Sequence, residues 1–143
     1  MNILIINGPN LNLLGKREPD IYGHQSFEDF LKELRSKFST HNIDYYQTNH
    51  EGSIIDKLQE SDNQYDAVVL NPAAYTHTSI AIADCIKAID IPVVEVHISD
   101  IRKREPFRQK SFITEVAVHA IMGHGLNGYA LAVEWLLKNR ANL

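Results

Sequence analysis

Glu95, His97 and Ser99 stand at every second position of VVEVHIS, residues 93 to 99. Side chains alternate across a strand, so these three share one face while Val94, Val96 and Ile98 share the other. A carboxylate in such a segment is rare unless it is paired, and a Glu beside a His holds the ring in one orientation. That is the arrangement of an oriented general acid; the alternative is a polar network satisfied within the fold.

Three other stretches carry groups that could act with it. NGPNLNLLGKREPDIYG, residues 7 to 23, separates a candidate strand from a candidate helix by about 18 residues, far beyond the usual few-residue connection, as a lid or binding loop does. It lacks the glycine spacing of a dinucleotide or nucleoside-triphosphate loop. Lys16, Arg17 and Tyr22 lie in it, and a guanidinium beside a phenol favours the phenolate, which would make Tyr22 a general base. NPAAYTHTS, residues 71 to 79, offers an Asn, a His and helix N-terminal amides to hydroxyls or an anion, with Thr76 or Thr78 as the cap of the next helix. SDIRKREPFRQKS, residues 99 to 111, clusters Arg102, Lys103, Arg104, Arg108 and Lys110, and one arginine turned inward would hold a small anionic substrate. The histidines, at 24, 41, 50, 77, 97, 119 and 124, have no paired-ligand spacing, and there is no GxSxG elbow. Neither a metal site nor a serine nucleophile is expected.

These groups need a scaffold, and short apolar runs alternate with amphipathic ones along the chain. Candidate strands are 2 to 7, 43 to 49, 65 to 71, 92 to 98 and 116 to 122. SFEDFLKELRSKF puts Phe27, Phe30, Leu31, Leu34 and Phe38 on one helical face, with Ser26 and Asp29 as an N-terminal capping signal. Further helices are expected from near Ser53, over TSIAIADCIKAI and from about Leu126, the last with Tyr129, Ala132, Val133 and Leu136 inward. Strands alternating with helices predict an α/β fold: a doubly wound, five-stranded parallel sheet of the flavodoxin-like kind, order 2-1-3-4-5, helices on both faces. In such sheets ligands bind at the carboxyl ends of the strands, where the polar stretches above all fall.

The 143 residues are sized for one domain, 1 to 143, and no linker or repeat divides them. A formal net charge of -4 argues against a nucleic-acid or anionic-membrane partner, and no stretch approaches a membrane span. The single cysteine, Cys85, lies in an apolar segment and reads as a buried thiol, so the expected location is cytoplasmic.

Taken together, INGPNLNLLGKREPDIYG, QTNHEGSIIDKL, NPAAYTHTSIAIADC and VVEVHIS, with the closing GHGLNGYALAVEWL, resemble the type II 3-dehydroquinate dehydratases over nearly the whole chain. The resemblance implies dehydration of 3-dehydroquinate to 3-dehydroshikimate in the shikimate route, with no metal or organic cofactor. It implies Tyr22 as the general base, Arg17 as its electrostatic partner, and Asn10 as support for the enolate through a bound water. It makes His97 the acid that protonates the departing hydroxyl, paired to Glu95. Asn71, His77, the backbone at Ile98 and Ser99, and Arg108 correspond to the groups that hold the carboxylate and ring hydroxyls. By the same resemblance Asp84 reaches a neighbouring subunit's site within a trimer, and trimers assemble into a dodecamer.

Ala73 stands where that family usually has glycine, Asp100 where asparagine is commoner, and Pro106 lies in the arginine loop. If position 73 requires φ > 0, the alanine strains its loop. The rival reading is a flavodoxin-like FMN carrier or signalling module. A phosphoacceptor domain, however, would want acidic residues where the first and third strands end in Asn7 and Asn71.

Overall fold

The computed structural model describes residues 1–16, 20 and 24–143. Five parallel strands form one sheet: β1 (Asn2–Asn7), β2 (Asn42–Gln47), β3 (Ala67–Asn71), β4 (Val93–His97) and β5 (His119–Met122). Their order is β2-β1-β3-β4-β5, as the alternating pattern predicts. The helices among the described residues are α1 (Phe27–Lys37), α2 (Glu51–Ser61), α3 (Ile80–Ala88) and α4 (Asn127–Lys138). None is long and apolar enough to cross a membrane.

The side-chain period of β1 explains why both faces are covered. Ile3 and Ile5 point into a core shared with Phe27, Leu31 and Leu34 of α1 and Tyr129, Val133 and Leu136 of α4. Leu4 and Ile6 point into a second core with Ile54 and Leu58 of α2 and Ile82 and Ile86 of α3. A strand buried on both faces has no polar alternation to show, hence the continuous apolar run ILII, residues 3 to 6. Ser26 caps α1 as its sequence signal indicates, accepting from the Asp29 N–H. At β4 the period separates Val94 and Val96, which join the α1/α4 core, from Glu95 on the other face.

Several boundaries differ from expectation for local reasons. β5 starts at His119 rather than 116, because the N–H groups of Val116 and Ala117 both turn back to the Ile113 carbonyl. Neither Thr76 nor Thr78 caps α3. A 3-10 turn over Ala73–His77 intervenes, and Ser79 is the cap, its hydroxyl accepting from the Ile82 N–H at 2.9 Å. Thr76 is buried within that turn, and its Oγ1 has no partner among the described residues.

The loops after β1 and β3 are held against each other. The Gly8 N–H donates to the Asn71 carbonyl at 2.8 Å. A Cβ at position 8 would lie 2.6 Å from the Pro72 carbonyl oxygen, so only glycine permits this approach. Ala73 does have positive φ, at 53°, as does Asn10 at 69°. An L-residue there carries a backbone cost of about 1–2 kcal/mol, of which glycine's freer unfolded chain would take back about 0.4–1. Ala73→Gly is therefore expected to stabilise the fold by about 0.5–1 kcal/mol. Thermal unfolding checks this: a lowered midpoint would mean that alanine is not strained at this position.

Candidate active site

β4 ends in a buried, hydrogen-bonded pair of side chains. Glu95 is 0% and His97 4% exposed, and the His97 Nε2–H donates to Glu95 Oε2 at 2.6 Å. Two hydroxyls complete the carboxylate's shell: Ser111 Oγ donates to Oε2 at 2.8 Å and Thr114 Oγ1 to Oε1 at 2.6 Å. Burial pushes the Glu95 carboxyl up, but the His97 hydrogen bond and charge, with Thr114 and Ser111, overcome it and hold the group below its ordinary range. Glu95 is thus an ionised carboxylate with no surface exposed to bulk solvent. It occupies one nitrogen of the His97 ring and leaves Nδ1 for other work.

His97 opens onto a crevice at the carboxyl ends of the strands, also lined by Asn10, Asn71, His77, Ile98, Ser99 and Arg108. Seven of the residues singled out from sequence therefore meet at one place, beside the point where strand order reverses. Asn10 reaches it from a left-handed backbone turn whose N–H donates to Asn49 Oδ1 at 3.1 Å. His77 places Nδ1 2.7 Å from the Lys110 carbonyl, and a carbonyl only accepts. The ring's Nδ1 therefore carries the proton, and Nε2 of the neutral ring is an acceptor. Burial lowers the His77 pKa, opposed by that carbonyl bond and reinforced by His97, Arg108 and Arg104, so the neutral form is favoured.

The basic loop supplies two arginines to the crevice, Arg104 as well as Arg108. Glu105 lies between them, 2.8 Å from Arg108 Nε and 3.8 Å from Arg104 Nε. Pro106 opens the 3-10 turn Pro106–Arg108, where its fixed φ and missing N–H cost nothing, and the turn delivers Arg108. Asp100 caps the 3-10 turn Ile101–Lys103 and clamps Arg102 through Nε and Nη2, both at 2.9 Å. Arg102 is thereby engaged at the surface.

Some expected members lie elsewhere. Glu95 stands behind His97 rather than in the crevice wall. Asp84 is an exposed residue of α3, 3.6 Å from Lys87 Nζ and outside the crevice. Arg17 and Tyr22 lie outside the described residues. Ser111 and Thr114 carried no sequence signal, since isolated hydroxyls in a loop are common. Arg104 was visible only as one cation among five.

A model of the family described as dehydroquinase class II matches residues 1–137. A 3-dehydroquinate dehydratase of Clostridium botulinum is 54% identical over 140 residues, covering 96% of this chain and 95% of its own. One from Francisella philomiragia is 52% identical, covering 93% and 92%. The crystal structure of a type II dehydroquinase from Butyrivibrio crossotus superposes with a TM-score of 0.92 at 45% identity, covering 96% of this chain and 97% of that one. A 3-dehydroquinate dehydratase-like protein from Bifidobacterium longum superposes less well, with a TM-score of 0.67 at 29% identity and 94% coverage of both chains.

The Glu95 shell has a titration consequence. Its folded pKa lies below the unfolded one, so the carboxylate contributes stability that is present above the unfolded value and lost as pH falls through the folded value. Thr114→Val removes a charge-assisted hydrogen bond, which should cost about 1.5 kcal/mol at neutral pH and move the acid-side loss of stability to higher pH. Urea unfolding across pH 3 to 7 measures both, and a curve parallel to the parent's would contradict this account of Glu95.

Proposed function

The chain belongs to the class II dehydroquinases and is a dehydratase, and from that premise we propose that it converts 3-dehydroquinate to 3-dehydroshikimate and water in the shikimate pathway, with the crevice at the strand ends as its active site. The observation that carries this reading is the convergence of Asn10, Asn71, His77, His97, Ile98, Ser99 and Arg108 on one crevice backed by the buried Glu95. Family membership supports it over a flavin carrier or signalling module on the same fold.

The reaction removes a proton from the carbon next to the substrate ketone and a hydroxyl from the carbon beyond it. Tyr22 takes the proton as phenolate, with Arg17 as the cation that favours that form. The electron pair moves to the ketone oxygen as an enolate, which Asn10 supports through a water. When the enolate collapses, the carbon–oxygen bond breaks and His97 gives its proton to the departing hydroxyl, releasing water. Glu95 accepts from Nε2 and so leaves Nδ1 as the nitrogen that faces the leaving group. Arg108 and the backbone at Ile98 and Ser99 hold the substrate carboxylate. Asn71 and the acceptor Nε2 of His77 hold ring hydroxyls.

We further propose that residues 1–143 act as one catalytic domain in a dodecamer built from trimers, with Asp84 of α3 completing a neighbour's site. Its exposure is compatible with that role. The solution mass should be twelve times that of one chain, and a monomer with full activity would overturn the assembly.

Adding 3-dehydroquinate to the purified protein should produce the ultraviolet absorbance of a conjugated enone, unaffected by chelators or borohydride. Folded protein that gives no such signal would overturn the assignment. Tyr22→Phe should lower kcat by at least about a hundredfold and leave substrate binding largely intact. Full activity in that variant would place the base elsewhere.

A further inference from the structure

Tyr129 of α4 is 0% exposed and packed among rings, with Phe27 at 4.9 Å and Phe30 at 6.0 Å between centroids. Phenylalanine would satisfy those contacts equally well. Its hydroxyl nevertheless joins the ends of two strands, donating to Asn7 Oδ1 at 2.7 Å and accepting from Asn71 Nδ2 at 2.9 Å. Asn7 and Asn71 are register partners of β1 and β3, and both are buried.

The direction of this chain of bonds follows from one unambiguous donor. The backbone N–H of Ala73 points at the Asn71 side chain at 3.1 Å, so the atom that receives it is the amide oxygen. The amide nitrogen must then be the end turned to Tyr129, the phenol oxygen must accept there, and its own proton must go to Asn7. Burial raises the phenol's pKa, with Tyr45 adding to the rise and the Asn71 and Asn7 bonds opposing it, so the proton remains available at neutral pH. Asn71 also lines the crevice. With one N–H given to Tyr129 and one lone pair given to Ala73, it retains one donor and one acceptor in a fixed order.

We propose that Tyr129 is a positioning residue: its buried hydroxyl anchors the Asn71 amide in the order that the Ala73 N–H dictates, and so sets how a substrate hydroxyl is held. This rests on the reading of Asn71 as a substrate contact. A hydroxyl is itself one donor and one acceptor, so the order in which the amide presents its two ends decides whether both bonds form. Without the phenol oxygen, Asn71 Nδ2 and Asn7 Oδ1 would each lose a buried partner, and only Ala73 would hold the amide.

The test is a double-mutant cycle in the intact enzyme, read as KM and kcat for 3-dehydroquinate. Tyr129→Phe should raise KM about tenfold, the size of one hydrogen bond, with kcat within about threefold of the parent. In an Asn71→Ala background, whose own KM is raised, the same change should move KM by less than about twofold. Asn7→Ala cuts the chain at its far end and should raise KM in the parent background only, which keeps the idea testable should Tyr129→Phe fail to fold. A KM increase of equal size in both backgrounds would show a general packing effect and overturn the relay. So would an unchanged KM in Tyr129→Phe beside a raised one in Asn71→Ala, which would leave the Asn71 contact standing. An unchanged KM in Asn71→Ala would overturn the substrate contact and the relay together.

Discussion

A carboxylate with no access to water has to be answered from within the fold, and much of the site follows from how Glu95 is answered. Desolvating a charge costs several kcal/mol unless hydrogen bonds replace the lost solvent. Three do so here, from His97 on the same strand and from Ser111 and Thr114 far along the chain. The last two belong to the loop that carries Arg104 and Arg108, so satisfying the carboxylate also brings the cations to the strand ends. The same loop is sewn to the turn after β3, through His77 on the Lys110 carbonyl and the Phe112 N–H on the Thr76 carbonyl. One buried charge thus couples His97, the two crevice arginines and His77.

That coupling acts on each partner's chemistry. His97 has one ring nitrogen, Nε2, engaged by the carboxylate, which leaves Nδ1 as the nitrogen not bound to it. His77 is fixed in one tautomer by a backbone carbonyl and kept toward neutrality by burial and by the cations around it. Two imidazoles in one crevice are thereby given different surroundings, a carboxylate beside one and a backbone carbonyl beside the other.

The sheet was legible because a parallel sheet covered on both faces leaves a strong trace: apolar runs of strand length separated by helical stripes such as Phe27, Phe30, Leu31 and Leu34. The crevice was legible because its members cluster where strands end, and the fold places those ends side by side. What escaped was set by tertiary partners. Ser111 and Thr114 act only because β4 lies beside them, and nothing near them in sequence says so. Tyr129 was read as a core aromatic, and so it is; its hydroxyl gains meaning only from Asn7 and Asn71, one of them 122 residues away. Thr76 and Thr78 looked like caps until an extra 3-10 turn moved the helix start to Ser79. Arg17 and Tyr22 rest on residue chemistry and motif resemblance, since they lie outside the described residues.

The close approach of Gly8 to Pro72 bears on affinity as well as shape. Two loops whose backbones touch and share a hydrogen bond cannot wander separately, so Asn10 and Asn71 keep their spacing before any ligand arrives. The conformational entropy of arranging them is then lost once, when the chain folds, and is not charged again to each binding event. A single absent methyl group at Gly8 converts part of the folding free energy into readiness to bind.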